Sequence, residues 1–455
     1  MHPNLSFEQA PPISVPFRFF ITAPLFGVAA GLLLAWQGGA GLASRWGAEV
    51  LALTHLFSVG FMLQAMCGAL LQFVPVATGG NVWRPRLIAN IVHPLITLAA
   101  VALVTAFAWP SIDMLQFAVP LFVAGLSVFV VAVGTAVLRT PAKGMTIHVL
   151  RMALAGLAVT LTLGLLLATL LGWQIAPENV ARWSLQTLVN VHAAWGLGGW
   201  ALLLVMGVSY LVVPMFQLTP AYPAHASRWL PTTLFGVLLC WSLQLVSPAL
   251  LAGPIQNGVV MLGLLVAALY AGITLWLQKR RRRRVTDVTF HFWRSAMIAL
   301  LAVAASWLAF LAFPDLAAHP RAPLWLGVLV LPGVFVSVIN GMLYKIVPFL
   351  IWLHLQNLGN LKTLPPNMKQ MISERMMRGQ FACHLVALAL LLATVIWPPL
   401  AVPAGLALAA SFLWLEWNLV KALRLYVDFR TRTLQALGTA PVKDRTDATG
   451  VRRVS

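Results

Sequence analysis

The sequence predicts an all-α integral membrane protein with twelve transmembrane helices. The first observation behind this prediction is composition, because 60% of the 455 residues are hydrophobic and only 9% are charged. A single core inside a charged surface cannot accommodate that excess, whereas a lipid bilayer can. The second observation is that apolar runs long enough to cross ~30 Å of hydrocarbon, about 20 residues each, recur along the chain. The third is a helix ending, Val-Pro, that returns at a regular interval.

Twelve apolar runs account for most of the chain. Six fall in the first half, near residues 17–37, 50–76, 87–108, 114–138, 147–172 and 186–215. Six more follow, near residues 229–249, 254–278, 288–313, 324–353, 379–398 and 401–427. We therefore expect one membrane domain over residues 17–427, between an N-terminal tail at 1–16 and a C-terminal tail at 428–455.

Basic residues indicate how these helices are oriented. Lys and Arg gather in the cytoplasmic loops of membrane proteins, and here they concentrate in the even-numbered loops, most densely in the run Lys279–Arg284. Odd-numbered loops hold little beyond Arg45, Arg182 and Arg321. Both termini are therefore predicted to be cytoplasmic, and the membrane to be the bacterial cytoplasmic membrane. A short basic run beside a membrane helix needs only anionic headgroups as partners, so the net charge of +19 does not indicate nucleic-acid binding.

Helices 2, 6 and 10 end in the same motif. The endings are CGALLQFVP, MGVSYLVVP and NGMLYKIVP, with Gly seven residues before Pro and Val directly before it. The prolines Pro75, Pro214 and Pro348 are 139 and 134 residues apart, which is one four-helix unit each time. A near-constant period predicts an internal repeat, with units of about 17–140, 147–280 and 288–427. Because Gly permits close helix contact and Pro stops or kinks a helix, we expect three four-helix arcs around a pseudo-threefold axis.

That architecture resembles subunit I of the heme-copper oxidase superfamily over about residues 15–427. The chain is also similar to the NnrS family of nitric-oxide-response membrane proteins, which is related to the oxidases without being a respiratory oxidase. The resemblance implies a cytochrome oxidase subunit I-like fold that binds heme, with copper as a second metal. It also implies a role in nitric oxide or respiratory metal metabolism, with proteins of those systems as partners.

Two histidines fall in the outer halves of helices 2 and 6. The oxidases place a low-spin heme ligand on helix 2 and a copper ligand on helix 6, so the resemblance implies His55 and His192 as metal ligands. A neutral imidazole in lipid has a donor and an acceptor that need partners, and iron or copper can use the acceptor nitrogen. The alternative is that each histidine hydrogen-bonds a neighbouring helix. Since no CxxCH motif occurs, a heme would be held non-covalently.

Departures from the oxidase pattern limit the predicted function. Helix 10 carries none of the heme-ligating histidines of the oxidases, and helix 7 carries none of their copper-binding histidines. The chain should therefore not be a complete terminal oxidase, and whether it is an enzyme stays open. The two axial ligands of a heme would then have to be His55 and His192, or His55 and a methionine such as Met62 or Met66. Core packing also accounts for those methionines.

A second group of basic side chains opens helices 5 and 9. The segments HVLR and HFWR place a histidine three residues before an arginine, so both side chains can share a helix face. They would hold heme propionates or a small anion, or lipid phosphates in an interfacial belt. The residues are His148, Arg151, His291 and Arg294.

Ionisable and phenolic groups inside helices 6, 10 and 12 suggest a proton or ion pathway through Glu416, Tyr210 and Tyr344. An alternative function follows from them, namely a transporter of a small solute or metal complex, which would bind no stoichiometric heme. A third hypothesis is an assembly partner of a respiratory complex, which needs no cofactor.

Overall fold

The computed structural model describes residues 7–140, 143–173, 184–251, 253–282, 285–356, 358 and 366–438. Every regular element in these residues is a helix and no strand is present among them, so the predicted all-α class is confirmed. The long helices are α1 (Ser14–Gln37), α2 (Ala48–Thr78), α3 (Pro85–Ala108), α4 (Ile112–Arg139), α5 (Met145–Trp173), α6 (Leu185–Gln217), α7 (Ala224–Ser242), α8 (Pro254–Lys279), α9 (Val288–Ala312), α10 (Ala322–Gln356), α11 (Glu374–Ile396) and α12 (Ala401–Gly438).

Within the described ranges, eleven of these helices are long and apolar enough to cross a bilayer. The protein is therefore an integral membrane protein whose surroundings are lipid. The remaining helix, α7, has 19 residues but opens on the polar sequence AHASR. This polar start lowers its hydropathy below that of the other eleven helices.

Two helix ends differ from the hydropathy prediction. Helix α7 ends at Ser242 rather than at 249, and two short 3₁₀ segments follow it. Helix α12 continues through Gly438, so residues 428–438 of the predicted C-terminal tail are helical. Hydropathy cannot detect this extension because the segment is rich in arginine. Residues 1–6 and 439–455 of the predicted tails, Arg182, and residues 283–284 of the basic run lie outside the described residues.

The repeated prolines lie inside their helices, so the expectation that they end them is wrong. The helices continue past Pro75, Pro214 and Pro348, to Thr78, Gln217 and Gln356. Proline removes one backbone hydrogen bond, but packed neighbouring helices allow a membrane helix to tolerate that loss. The Val-Pro motif therefore marks a position within each helix.

Helices α2, α6 and α10 each contain an eight-residue π-helical segment, at Leu56–Leu63, Trp195–Leu202 and Leu329–Val336. Each segment begins 19 residues before the repeated proline of its own helix, from 56 to 75, from 195 to 214 and from 329 to 348. Segments of π-helix are rare and occur frequently at functional sites. The three helices thus share an unusual backbone feature in the same register.

The glycines seven residues before those prolines lie at close helix contacts, as the sequence predicts. A Cβ added to Gly68, Gly207 or Gly341 would lie 2.7 Å from Phe19 Cβ, 3.0 Å from Val149 Cγ1 and 2.7 Å from Phe292 Cβ, respectively. These neighbours belong to α1, α5 and α9. Helices α2, α6 and α10 therefore each pack tightly, through a glycine, on the long helix that precedes them.

The first and last long helices also pack against each other. A Cβ on Gly405 of α12 would lie 2.5 Å from the carbonyl oxygen of Gly31, and one on Gly31 of α1 would lie 2.6 Å from the carbonyl oxygen of Gly405. Such contact between two backbones requires glycine on both sides. The two ends of the membrane domain are thereby joined.

Candidate functional site

His55 is the last residue before the π-helical segment of α2. Its Nδ1 lies 2.8 Å from the carbonyl oxygen of Leu51. Because a carbonyl oxygen can only accept, Nδ1 carries the proton and Nε2 carries the lone pair. The ring stacks on Phe107 of α3, with 5.1 Å between ring centroids. No protein hydrogen bond reaches Nε2 from the described part of the chain.

His192 lies on α6, three residues before the π-helical segment of that helix. Its Nδ1 donates to the carbonyl oxygen of Thr160 on α5, at 3.1 Å, so Nε2 again carries the lone pair. Gly164, one turn further along α5, makes room for the ring, since a Cβ there would lie 3.0 Å from His192 Cε1. Nε2 of His192 likewise makes no hydrogen bond within the described ranges.

A hydrogen bond from Arg45, just before α2, to Asn190 of α6 joins the chain segments that carry the two histidines. Their contacts place them among α2, α3, α5 and α6. A metal-binding histidine almost always donates its second ring N–H to a carboxylate, carbonyl or water, which fixes the tautomer and aims the other nitrogen at the metal. His55 and His192 both have that arrangement before any metal is considered.

Other histidines use their Nε2 atoms differently. Nε2 is paired with a hydroxyl in three of them: His93 with Thr22 at 2.8 Å, His291 with Thr286 at 3.1 Å and His384 with Ser337 at 2.8 Å. In His354, both ring nitrogens face carbonyl oxygens, those of Leu350 and Pro11. These four histidines pair Nε2 within the protein. His192 meets the alternative expectation of a hydrogen bond to a neighbouring helix through its Nδ1, and His55 bonds its own helix, but both keep a free Nε2.

Arg45 is a loop residue that contacts the helix carrying His192. It lies just before α2, and its guanidinium donates to Oδ1 of Asn190 on α6, at 2.9 Å. The same group covers the ring of Trp46, 4.2 Å from the centroid. Burial lowers the pKa of Arg45, but a guanidinium stays charged. The sequence offers one signal of this contact, because Arg45 lies ten residues before His55 and Asn190 lies two residues before His192.

The basic residues predicted to form an inner anion site are divided between two helices. Arg151 on α5 donates to the carbonyl oxygens of Val137 and Leu138, at 3.2 and 3.4 Å, near the end of α4. His148 shares α5, whereas His291 and Arg294 lie on α9. Helix α5 packs chiefly on α4, α6 and α7, and α9 packs on α8, α10 and α11. His148, Arg151 and Arg294 are also exposed, which suits contact with lipid headgroups.

The three residues predicted for a proton or ion pathway occupy separate environments. Oε2 of Glu416 is buried and has no partner among the described residues. The Tyr344 hydroxyl accepts a hydrogen bond from Asn418 of α12 at 2.9 Å. Tyr210 packs against Tyr222, with 5.0 Å between ring centroids, and Tyr222, outside the membrane-spanning helices, has its pKa raised by burial to about 12. No hydrogen bond within the described residues links Glu416, Tyr210 and Tyr344.

A cavity of about 150 Å³ lies between α2, α6 and α10, on the proline side of the π-helical segments. The same positions of each helix line it: those ten, nine, six and two residues before the repeated proline, and those one and two residues after it. Phe20 of α1 and Trp293 of α9 complete the wall. The three helices therefore face this cavity in the same register.

The described residues contain no group of three or more His, Cys, Asp or Glu side chains that could hold a metal ion. A metal at His55 and His192 would therefore have two protein ligands, which is the number that a six-coordinate heme requires. A search with protein-family models found no model that matches this chain, and a search of curated proteins found no match either.

Proposed function

We propose that this protein is a heme-binding membrane protein in which His55 and His192 ligate the metal, and that it acts in nitric oxide or respiratory metal metabolism. One observation carries the proposal: both histidines donate Nδ1–H to a backbone carbonyl and keep an unpartnered Nε2. Imidazole nitrogen suits iron and also copper, so copper is the second candidate metal. A bound heme would supply one-electron chemistry.

Arg45 adds a cationic side chain that could bind a carboxylate of the porphyrin. Its cationic guanidinium lies near the N-terminal ends of α2 and α6, the ends that also carry the two histidines. A heme carries two propionates, and arginine binds carboxylates strongly. In the proposed complex, His55 and His192 hold the iron, and Arg45 neutralises one propionate.

The proposed architecture is twelve membrane crossings in three arcs, as in oxidase subunit I. Three features support it: the π-helical segments in one register, the glycine contact within each four-helix unit, and the cavity lined by matching positions of α2, α6 and α10. The proposal requires α7 to cross the membrane as well, although its hydropathy is lower than that of the other helices.

We expect both termini in the cytoplasm, because the basic loops predict it. Green fluorescent protein fused to the C terminus should then fluoresce in a bacterial host, and alkaline phosphatase fused there should be inactive. Fusions after α6 should behave in the same way, and fusions after α3 should give the opposite pair of results. A phosphatase-active C-terminal fusion would contradict the orientation.

The heme proposal is tested by absorption spectra of purified protein, oxidised and dithionite-reduced, with pyridine-hemochrome and copper quantification. His55→Ala and His192→Ala should each remove the Soret band or convert it to that of a five-coordinate heme. His384→Ala is the matched control, because His384 is more deeply buried but pairs its Nε2 with Ser337. Folded protein without heme or copper, or equal loss of heme in the control, would contradict the proposal.

Transport of a small solute is the second candidate, favoured by the buried and unpartnered Oε2 of Glu416. A lone carboxyl group within a membrane helix is a common part of a proton or ion route. Uptake into proteoliposomes under a proton gradient, with Glu416→Gln as the comparison, tests it. Loss of gradient-driven uptake in Glu416→Gln, together with colourless wild-type protein, would favour transport over heme binding.

A further inference from the structure

The C-terminal part of α12 carries a row of charged side chains that the functions proposed above do not use. Lys421, Arg424, Asp428 and Arg432 follow one another at intervals of three or four residues, so they share one face of the helix. All four are exposed. Within the described ranges, none of them makes an ion pair or a side-chain hydrogen bond. Three positive charges and one negative charge therefore face outward without a protein partner.

These four side chains line an open groove of about 520 Å³, which we call the basic groove. The rest of its described wall is apolar and consists of Leu425, Phe429 and Pro366. Leu425 and Phe429 also pack against the core of the membrane domain, which fixes the floor of the groove. A groove that combines cationic and apolar side chains suits a ligand that has an anionic part and an apolar part.

The basic groove lies at the edge of the membrane domain. Asn418 of α12 donates to the Tyr344 hydroxyl of α10. The residue after Tyr344 is Lys345, which pairs with Asp287 at the start of α9. Helix α9 therefore begins close to the level of Asn418, three residues before Lys421. Phospholipid headgroups lie at this level, where membrane helices begin and end.

The same face of α12 is apolar and exposed in the turns before the basic groove. Its residues are 45, 53, 53 and 59% exposed and are, in chain order, Val402, Leu406, Leu413 and Trp417. Tryptophan is enriched at the membrane–water interface, and Trp417 lies one turn before Lys421. An acyl chain lying on this apolar stripe would bring its phosphate to Lys421 and Arg424. A free phosphate ion would gain nothing from the stripe.

We propose that the basic groove binds the headgroup of an anionic phospholipid. Lys421, Arg424 and Arg432 hold the phosphate, and the acyl chains lie on the exposed apolar stripe of α12. The site is distinct from His55 and His192, so the proposal does not depend on heme binding.

Native mass spectrometry of detergent-purified protein tests the site, with dioleoyl phosphatidylglycerol and dioleoyl phosphatidylcholine as probes. The two lipids have the same acyl chains, and only the first has a net negative charge. One basic residue near an anionic headgroup contributes about fivefold in affinity. Arg424→Gln should therefore weaken the tightest phosphatidylglycerol binding about fivefold and change phosphatidylcholine binding little. Equal binding of the two lipids by the wild type would overturn the proposal.

Asp428→Asn should act in the opposite direction. It removes the one carboxylate among the described residues that line the basic groove, so the repulsion of the phosphate is lost. We expect phosphatidylglycerol to bind several-fold more tightly to this variant. Damage to the fold cannot produce tighter binding, so this result separates an effect of charge from an effect of structure. Unchanged or weaker binding would contradict the proposal.

A matched pair of triple variants tests whether position or total charge matters. The groove variant combines Lys421→Gln, Arg424→Gln and Arg432→Gln and should lose about a hundredfold in phosphatidylglycerol affinity. The control makes the same change of charge at exposed cations of three other helices, Arg86→Gln, Arg139→Gln and Lys369→Gln. It should keep the tight binding. Equal losses in the two triple variants would show that no specific site exists.

Soluble competitors distinguish a lipid from a free anion. Glycerophosphoglycerol has the phosphatidylglycerol headgroup without acyl chains, and inorganic phosphate has the anion alone. Neither should displace bound phosphatidylglycerol from the wild type in large excess, because neither contacts the apolar stripe. Displacement by inorganic phosphate would identify a site for free phosphate ions and would overturn the assignment to a lipid.

Discussion

The histidines of this protein are distinguished by the ring nitrogen that each one uses. In an apolar chain a neutral imidazole must find an acceptor for its N–H and a donor for its bare nitrogen. His93 and His384 place Nε2 against hydroxyls. His55 and His192 place Nδ1 against carbonyl oxygens and leave Nε2 unpartnered. In the second arrangement the lone pair that a metal would use lies on Nε2.

Gly164 should control the position of the His192 ring. A Cβ at this position would lie 3.0 Å from His192 Cε1, so Gly164→Ala must displace the ring by a few tenths of an ångström. Changes to the support of a metal-binding histidine reduce metal affinity by about tenfold or more. We expect a loss of about tenfold in heme affinity, measured by titrating heme-depleted protein.

Gly134→Ala is the control for this substitution. Nothing lies within 4 Å of a Cβ at Gly134, so only the helix propensity changes. Alanine in a helix interior is more favourable than glycine by about 0.5–1 kcal/mol. The control should keep its heme affinity and become slightly more stable, and equal heme affinities in the two variants would contradict the role assigned to Gly164.

At the scale of single elements, the π-helical segments set the rotation of α2, α6 and α10. Residues of an α-helix follow one another at about 100° around the axis. The wider π turn therefore changes the direction in which residues before the segment face relative to residues after it. In α2 the segment separates His55 from Gly68, whose close contact with α1 orients the second half of the helix. The π-helical segment therefore fixes how the half that carries His55 is rotated relative to the half that packs on α1.

Adding one residue between the π-helical segment of α2 and Gly68 should therefore eliminate heme binding. An alanine inserted between Leu63 and Gln64 continues the α-helix and rotates His55 by about 100° relative to Gly68. The same insertion between Val336 and Ser337, at the equivalent position of α10, is the control because α10 carries no proposed ligand. Both variants should lose stability, and heme content per folded protein, after size-exclusion chromatography, should fall only in the α2 insertion. Equal heme content in both would refute the orienting role.

The two carboxylate oxygens of Asp287 contact two different helices, α9 and α10. Oδ1 accepts from the backbone N–H of Phe290 and caps α9, at 3.0 Å. Oδ2 pairs with Lys345 of α10, at 3.0 Å. One side chain therefore begins a helix and holds it against its neighbour.

Two substitutions of Asp287 should separate its two roles by their effect on the free energy of unfolding. Asp287→Asn keeps an oxygen for the cap and loses the ion pair, which we expect to cost up to about 1 kcal/mol in the free energy of unfolding. Asp287→Ala loses both contacts and should cost about 1 kcal/mol more. Unfolding titrations in mixed micelles measure the difference. Lys345→Met should match Asp287→Asn, and equal costs for Asn and Ala would show that the cap contributes nothing.

At the scale of the whole molecule, the contact between α1 and α12 joins the two ends of the chain. Gly405→Val would place a side chain against the backbone of α1, since even a Cβ would lie 2.5 Å from the Gly31 carbonyl oxygen. Forcing extra atoms into a packed contact typically costs 1–3 kcal/mol, and more when backbone must move. We expect a loss of about 3 kcal/mol or failure to fold, measured by thermal unfolding and size-exclusion chromatography.

Gly272→Val controls for the substitution itself. Gly272 lies within α8, and nothing is within 4 Å of a Cβ there. This variant should change the unfolding midpoint little, because its new side chain meets open space. Comparable losses in the two variants would mean that the α1–α12 contact does not limit stability.

The sequence by itself determined the class of this protein, the apolar runs and the glycine contacts. These follow from local properties, since composition and hydropathy require a bilayer and a glycine at a fixed register position permits close packing. Hydropathy misplaced the end of α12, because an arginine-rich helix has no hydropathy signal, and the repeated prolines predicted ends for helices that in fact continue. His55 and His192 became a candidate pair through resemblance alone.

Only the tertiary structure decided which histidine nitrogens are free, that Arg45 reaches α6, and that a cavity separates α2, α6 and α10. Each of these depends on atoms far apart in the chain. Thr160 lies 32 residues from His192, and Arg45 lies 145 residues from Asn190. Hydropathy and spacing describe each helix along its own axis. Hydrogen-bond partners and cavities depend instead on how the helices are rotated against one another. In this protein, three π-helical segments set that rotation.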